Sequence, residues 1–151
     1  MRNMCHNMRG KGQKERDKMG YRRGQKDLSG MNILITEDNR LCAEMLAELL
    51  KLRHATVTCA DSGEEAVRIV DEMPGCFDAV LMDVQMPGMD GYDAARAIRA
   101  TGNGACLPVF AMTAENSESE RRHALDAGMN AFLLKPLQMN MLAQALTVAY
   151  A

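Results

Sequence analysis

The sequence has 151 residues, 47% of them hydrophobic, enough for one domain with a substantial core. It contains no apolar run of about 18 residues, the minimum for a membrane-spanning helix, and its basic N-terminus lacks the apolar stretch of a secretory signal. The formal charge of −2 conceals an asymmetry: residues 1–28 carry a net +6 and residues 29–151 a net −8, and an acidic body argues against direct nucleic-acid binding.

Taken in chain order, residues 1–30 are rich in Gly, Lys, Arg and Asn and show almost no apolar periodicity. They read as a basic, flexible extension or linker, solvated rather than bound to RNA or an anionic membrane, with a boundary near Gly30. The globular body is expected over 31–151. Five short apolar runs follow: NILIT (32–36), ATVTCA (55–60), DAVLM (78–82), PVFAM (108–112) and AFLL (131–134). The first, third and fourth are almost continuously apolar, the pattern of strands buried on both faces of a parallel sheet.

Helical patterns separate these runs. Over 40–52, Leu41, Met45, Leu46 and Leu49 recur at spacings of three and four. Ser62-Gly-Glu-Glu65 is a capping box that opens the next helix, and Ala94, Ala97 and Ile98 share a face over 90–100. Ser117-Glu-Ser-Glu120 is a second box whose helix should stop at Gly128, and a last helix is expected over 139–150. The alternation is therefore (βα)5, an α/β sandwich in which helices cover both faces of a parallel sheet. The five cysteines, Cys5, Cys42, Cys59, Cys76 and Cys106, form no C-x-x-C pair. Four stand in apolar or helical contexts and are expected as small core residues of a reduced, cytoplasmic protein.

In such sheets ligands sit beyond the carboxyl ends of the strands, where strand order reverses. The residues at those ends are Glu37 and Asp38, Asp83, Thr113, and Lys135 before Pro136. Each has an ordinary reading as a helix cap, a turn residue or a solvated lysine. Together they are three carboxylates, one hydroxyl and one amine at one edge. Crowded carboxylates repel, and a hard divalent cation such as Mg²⁺, together with the Lys135 ammonium, would hold them ionised. An oxygen of Asp83 would then be free to attack an electrophile, with Thr113 donating to a phosphoryl oxygen.

With these residues in place, 31–151, about 80% of the chain, resemble the receiver domain of two-component response regulators. The motifs are ILITEDN (33–39), LMDVQMPGMDG (81–91), VFAMTAE (109–115) and DAGMNAFLLKP (126–136), with intervals of 45, 30 and 22 residues along Asp38–Asp83–Thr113–Lys135. DLSGMNILITEDN and MDVQMPGMDGYDAARAIR look most like the receivers of hybrid sensor kinases. The resemblance implies a flavodoxin-like sheet in the order 2-1-3-4-5. It also implies that Asp83 accepts a phosphoryl group from a phosphohistidine of a histidine kinase or phosphotransfer protein. On the same analogy Mg²⁺ (or Mn²⁺) is held by Asp38, Asp83 and the backbone carbonyl of Gln85, with Glu37 acting through water, and Lys135 pairs with the phosphoryl oxygens. Thr113 is the implied switch hydroxyl and Phe132 the switch aromatic. Gln85 and Glu115 border the phosphoryl group and influence its lifetime, and residues 117–151 form the implied face for a downstream partner.

Near Arg40 the first helix would dock the phosphodonor. Leu41, Cys42 and Met45 cannot all face the core, so burial is the ordinary reading and one of them exposed for docking the other. The last helix begins Leu-Gln-Met-Asn, where many relatives have an acidic cap. The fifteen residues after Pro136 suffice for one helix, so a receiver without an effector domain is expected. Three other functions fit less well. An aspartyl-phosphate phosphatase needs an acid where Gln85 has an amide, and a flavin-binding relative of the same topology would be repelled by Glu37 and Asp38. An inactive pseudo-receiver scaffold would normally have lost one of these residues.

Overall fold

The structure, a computed structural model, describes residues 27–148. Strands β1 (Asn32–Thr36), β2 (Thr56–Ala60), β3 (Ala79–Asp83), β4 (Val109–Thr113) and β5 (Ala131–Leu134) alternate with five helices. These are α1 (Arg40–Lys51), α2 (Gly63–Glu72), α3 (Gly91–Ala100), α4 (Glu118–Asp126) and α5 (Met139–Val148). Every strand pair is parallel and the order is β2-β1-β3-β4-β5, as the resemblance implied. The strands are displaced by at most one residue from the apolar runs, while Tyr150, expected in the last helix, lies outside the described residues.

The near-continuous apolar runs are explained by two cores, one on each face of the sheet. Ile33, Ile35, Leu81, Phe110 and Met112 pack against Leu46 and Leu50 of α1 and Leu142 and Leu146 of α5. Leu34, Val80, Met82, Val109 and Ala111 face the other way, toward Ile69 of α2, Ala94 and Ile98 of α3 and Ala124 of α4. Each fully buried Leu or Ile contributes about 1.5–3 kcal/mol, so a strand loaded on both faces is strongly held in register. That register carries the strand ends to one edge, where Asp83 lies opposite Met112 and Thr113 opposite Leu134.

Both sequence-predicted boxes begin their helices. Ser62 Oγ accepts from the Glu65 N–H at 3.1 Å, and Ser117 Oγ accepts from the Glu120 N–H at 3.1 Å. Their glutamates, however, reach elsewhere. Glu65 accepts from the Asp61 N–H, one residue further out than the cap, and Glu120 from the Tyr92 hydroxyl. Beyond α4, Gly128 takes φ +84°, which a side chain would strain. The Gly128 and Met129 N–H groups donate to the carbonyls of Leu125 and Ala124 and satisfy the helix end.

Three expectations change. The residues of α1 that face the core are Ala43, Leu46, Ala47 and Leu50, whereas Leu41, Cys42, Met45 and Leu49 are exposed. The helix has two apolar stripes, and the alanine-containing one allows closer approach to the sheet. Nor are the cysteines core residues: Cys42, Cys59, Cys76 and Cys106 are all exposed, on the outer side of α1, on the edge strand β2 and in two loops. Cys5 lies outside the described residues. Finally, Leu28, placed before the boundary read at Gly30, is buried with Met31 in the α1/α5 core, and its N–H donates to the Arg53 carbonyl at 2.8 Å. Packing therefore starts before Gly30; of residues 1–30, those numbered 1–26 lie outside the described residues.

Candidate functional site

Strand order reverses between β1 and β3, and the acidic residues lie at that point. Glu37 follows β1 directly, and its N–H donates to the Ala60 carbonyl of β2 at 3.1 Å, which carries the chain one residue past the strand. Asp38 comes next and is exposed. Asn39 then caps α1 by accepting from the Cys42 N–H, while its own N–H donates to Glu37 Oε1 at 3.1 Å. Asp83 is the last residue of β3 and is 4% exposed, its Oδ1 accepting from the Gln85 N–H at 3.1 Å. The turn after it is tight because α3 starts against the strand end. A Cβ on Gly91 would lie 2.4 Å from the Asp83 carbonyl oxygen, so only glycine permits this approach.

Ligand oxygens of Glu37, Asp38 and Asp83 lie within 4.8 Å of one another. Lys135 completes the cluster from β5. Its N–H donates to the Thr113 carbonyl at 2.7 Å, and its Nζ lies 3.1 Å from Glu37 Oε2 and 3.2 Å from Asp83 Oδ2. Lys135 precedes a cis peptide to Pro136. One ammonium thus bridges two of the three carboxylates, Glu37 and Asp83. Burial pushes the Glu37 carboxyl up, against the opposing pull of the Asn39 N–H and Lys135, and the Asp83 charge pushes it further. Burial works against the Lys135 ammonium, but its hydrogen bond to Glu37 and the charges of Asp83 and Glu37 outweigh it and raise its pKa. The set is all oxygen donors, hard and under-neutralised, and that chemistry fits a small divalent cation such as Mg²⁺.

Around this cluster, Thr113 ends β4 and is buried, its Oγ1 accepting from the Glu115 N–H at 3.1 Å. Gln85 and Glu115 are exposed on the two loops that follow Asp83 and Thr113. Phe132 is half-buried in β5, with the Arg121 guanidinium 5.5 Å from its ring centroid. The five strand-end residues therefore share one edge, Gln85 and Glu115 flank it, and Phe132 lies one strand position before Leu133.

The model of the response regulator receiver domain matches residues 33–147. The chain belongs to this family. Among curated proteins the receiver is 37% identical over 138 residues to probable histidine kinase 6 of Oryza sativa subsp. japonica, a match covering 80% of this chain and 14% of that kinase. It is 41% identical over 115 residues to the sensor protein GacS of Pseudomonas syringae pv. syringae, covering 74% of this chain and 12% of the other. The chain thus spans less than a sixth of the length of these relatives. Among solved structures, the receiver domain of the sensor histidine kinase PA1611 from Pseudomonas aeruginosa PAO1, with a magnesium ion coordinated in its active site cleft, superposes with a TM-score of 0.74. The two are 36% identical, and the match covers 81% of this chain and 98% of that one. The chemotaxis protein CheY4 of Vibrio cholerae, at 24% identity and a TM-score of 0.73, shares the receiver fold.

Two contributors to this receiver's site were missed in the sequence. Asn39 and Gly91 act through a backbone N–H and the absence of a side chain. Reading strand ends one residue at a time does not expose such roles. The available signal was that each stands at the start of the helix that follows a candidate strand end, Asn39 directly after Asp38 and Gly91 at the close of the loop that leaves Asp83.

Proposed function

We propose that this receiver is a phosphoacceptor module in which Asp83 takes a phosphoryl group from a phosphohistidine. The observation that carries the reading is the three-carboxylate cluster with Lys135 between Glu37 and Asp83. One Asp83 oxygen attacks phosphorus, an O–P bond forms, the N–P bond to the donor imidazole breaks, and the imidazole keeps that electron pair and takes up a proton. Lys135 moves from its two carboxylates to a phosphoryl oxygen, and the Thr113 hydroxyl turns from the Glu115 N–H to another. Asp38, Asp83 and the Gln85 carbonyl would hold Mg²⁺ (or Mn²⁺), with Glu37 through water. When bound, this ion supplies positive charge that offsets the transferring group. Gln85 and Glu115, exposed beside the acceptor, set how readily water reaches the product.

Gln85 has an amide where turnover of an external phosphate would need an acid, so the domain is read as a phosphorylated signal rather than a phosphatase. The full set of carboxylates and lysine in one cluster favours it over an inactive scaffold. The donor is a histidine kinase or a histidine phosphotransfer protein. Its docking surface is α1, which starts two residues after Asp38 and exposes Leu41, Cys42 and Met45. Output passes through Thr113 and Phe132 to a protein partner on residues 117–151, in the cytoplasm, with no nucleic acid bound. Among the described residues no helix is long and apolar enough to cross a membrane.

The test is labelling by a small-molecule phosphodonor with Mg²⁺, read by intact mass. Wild type should gain one phosphoryl group and Asp83→Asn none. Equal gain by both proteins would sink the assignment.

A further inference from the structure

Helix α4 is thinly attached to the body. Of its sequence ESERRHALD only Ala124 is buried. Arg99 of α3 holds the Gly128 carbonyl just past its C-terminal end, and along the helix itself the described side-chain hold on α3 is Tyr92. The Tyr92 hydroxyl donates to the Glu120 carboxylate, and the Tyr92 ring meets the His123 ring edge-on, centroids 5.6 Å apart and planes at 63°. Tyr92 is the second residue of α3 and follows Gly91, the glycine seated against the Asp83 carbonyl. The backbone leaving the acceptor strand and helix α4 are thus joined by one aromatic side chain. Burial first, then the Glu120 hydrogen bond and charge, push the Tyr92 phenol up, so it stays a donor across the neutral range.

The loop between β4 and α4 is held from its other end. Thr113 Oγ1 accepts from the Glu115 N–H, and two residues later Ser117 caps α4. A Thr113 hydroxyl that turns away from Glu115 frees the loop, but α4 stays in place while Glu120 and His123 grip Tyr92. The two attachments oppose one another through a segment of only a few residues.

We propose that Tyr92 is a latch: it holds α4 against α3 in the form seen here, and its release is part of the switch that modification of Asp83 drives. The second half of this statement rests on the phosphoacceptor reading above. A two-state element of this kind is biased by any contact made in one state alone.

Amide hydrogen exchange tests both halves separately. In the unmodified protein, Tyr92→Phe keeps the ring and loses the hydroxyl. Exchange over 118–126 should rise about three- to tenfold, the range for a partly exposed hydrogen bond to a carboxylate, with the strands unchanged. Glu120→Ala, which removes the acceptor instead, should do the same. Wild-type exchange in both variants would overturn the latch. Beryllofluoride with Mg²⁺, a phosphoryl mimic, should protect the strand ends around Asp83 in wild type and raise exchange over 118–126 toward the Tyr92→Phe level. Protection at Asp83 with no change in α4 would overturn the coupling alone. No protection at Asp83 would instead overturn the phosphoacceptor reading and the coupling with it, leaving the latch to stand or fall on the unmodified variants.

Discussion

At the scale of single residues, Glu37 shows a site organised for a ligand at some cost to the fold. Its folded-state carboxyl lies above the ordinary value of 4.5 because it is buried beside Asp83, and the shared Lys135 does not fully compensate. A raised carboxyl means that the folded chain holds its proton more tightly than the unfolded chain, so stability falls as pH rises through that range. Lys135 has the opposite sense. Its contribution is complete below the usual 10.5 and is lost as pH rises through its raised folded value. Glu37→Gln removes the charge and, like a protonated carboxyl, keeps one carbonyl oxygen, which can accept from the Asn39 N–H or from Lys135. In metal-free buffer near neutral pH it should stabilise the fold by about 1 kcal/mol, and the gain should vanish near pH 4, where the wild-type carboxyl is largely protonated. Added Mg²⁺ should then raise the melting temperature of wild type more than that of the variant. A variant no more stable than wild type at neutral pH would show that Lys135 already neutralises the cluster.

At the scale of elements, the helices differ in how they are held. Arg99, near the end of α3, donates to the Gly128 carbonyl at 3.0 and 2.8 Å, to the Gly104 carbonyl at 2.6 Å, to the Leu107 carbonyl and to Asn130 Oδ1 at 2.7 Å. These partners belong to the α3–β4 connection and to the stop after α4, and none is a carboxylate. Burial lowers the pKa of this guanidinium, and the five bonds offset its desolvation. Arg99→Met should cost about 2–4 kcal/mol in urea unfolding, because it leaves carbonyls of two loops without their donor. Arg99→Lys should recover little of this, since one ammonium cannot span the planar fork; full recovery would mean that charge rather than geometry is what matters.

Legibility in the sequence also follows the elements. The strands were plain because β1, β3 and β4 are apolar on both faces, and the helix starts because Ser62 and Ser117 mark them. The orientation of α1 was not plain. Two apolar stripes compete, and the one with the larger residues, Leu41, Met45 and Leu49, is the one turned outward. Cysteine exposure was equally hidden, because an apolar neighbourhood in sequence does not say which side of an edge strand or helix a residue takes. The partners of Glu65 and Glu120 depend on Asp61 and Tyr92, and Tyr92 is 28 residues from Glu120. Pattern reading within one helix cannot reach such a pair.

At the scale of the whole molecule, the topology does most of the work. Reversal of strand order between β1 and β3 opens one edge of the sheet, and short connections bring Glu37, Asp38, Asp83, Thr113 and Lys135 to it from four strands. The tightly packed β3 and β4 hold Asp83 and Thr113 in a firm frame, whereas α4 and the loop before it are loosely attached. A rigid acceptor next to a lightly latched helix is the arrangement a two-state signal requires. The family and the fold are established; the central claim is that Asp83 carries the phosphoryl group. Borohydride reduces an aspartyl phosphate to homoserine, so phosphodonor treatment with Mg²⁺, borohydride trapping and peptide mapping locate the modified residue directly. The account predicts homoserine at position 83 and at no other aspartate; homoserine at another position, or none despite a measured gain of phosphate, would contradict it.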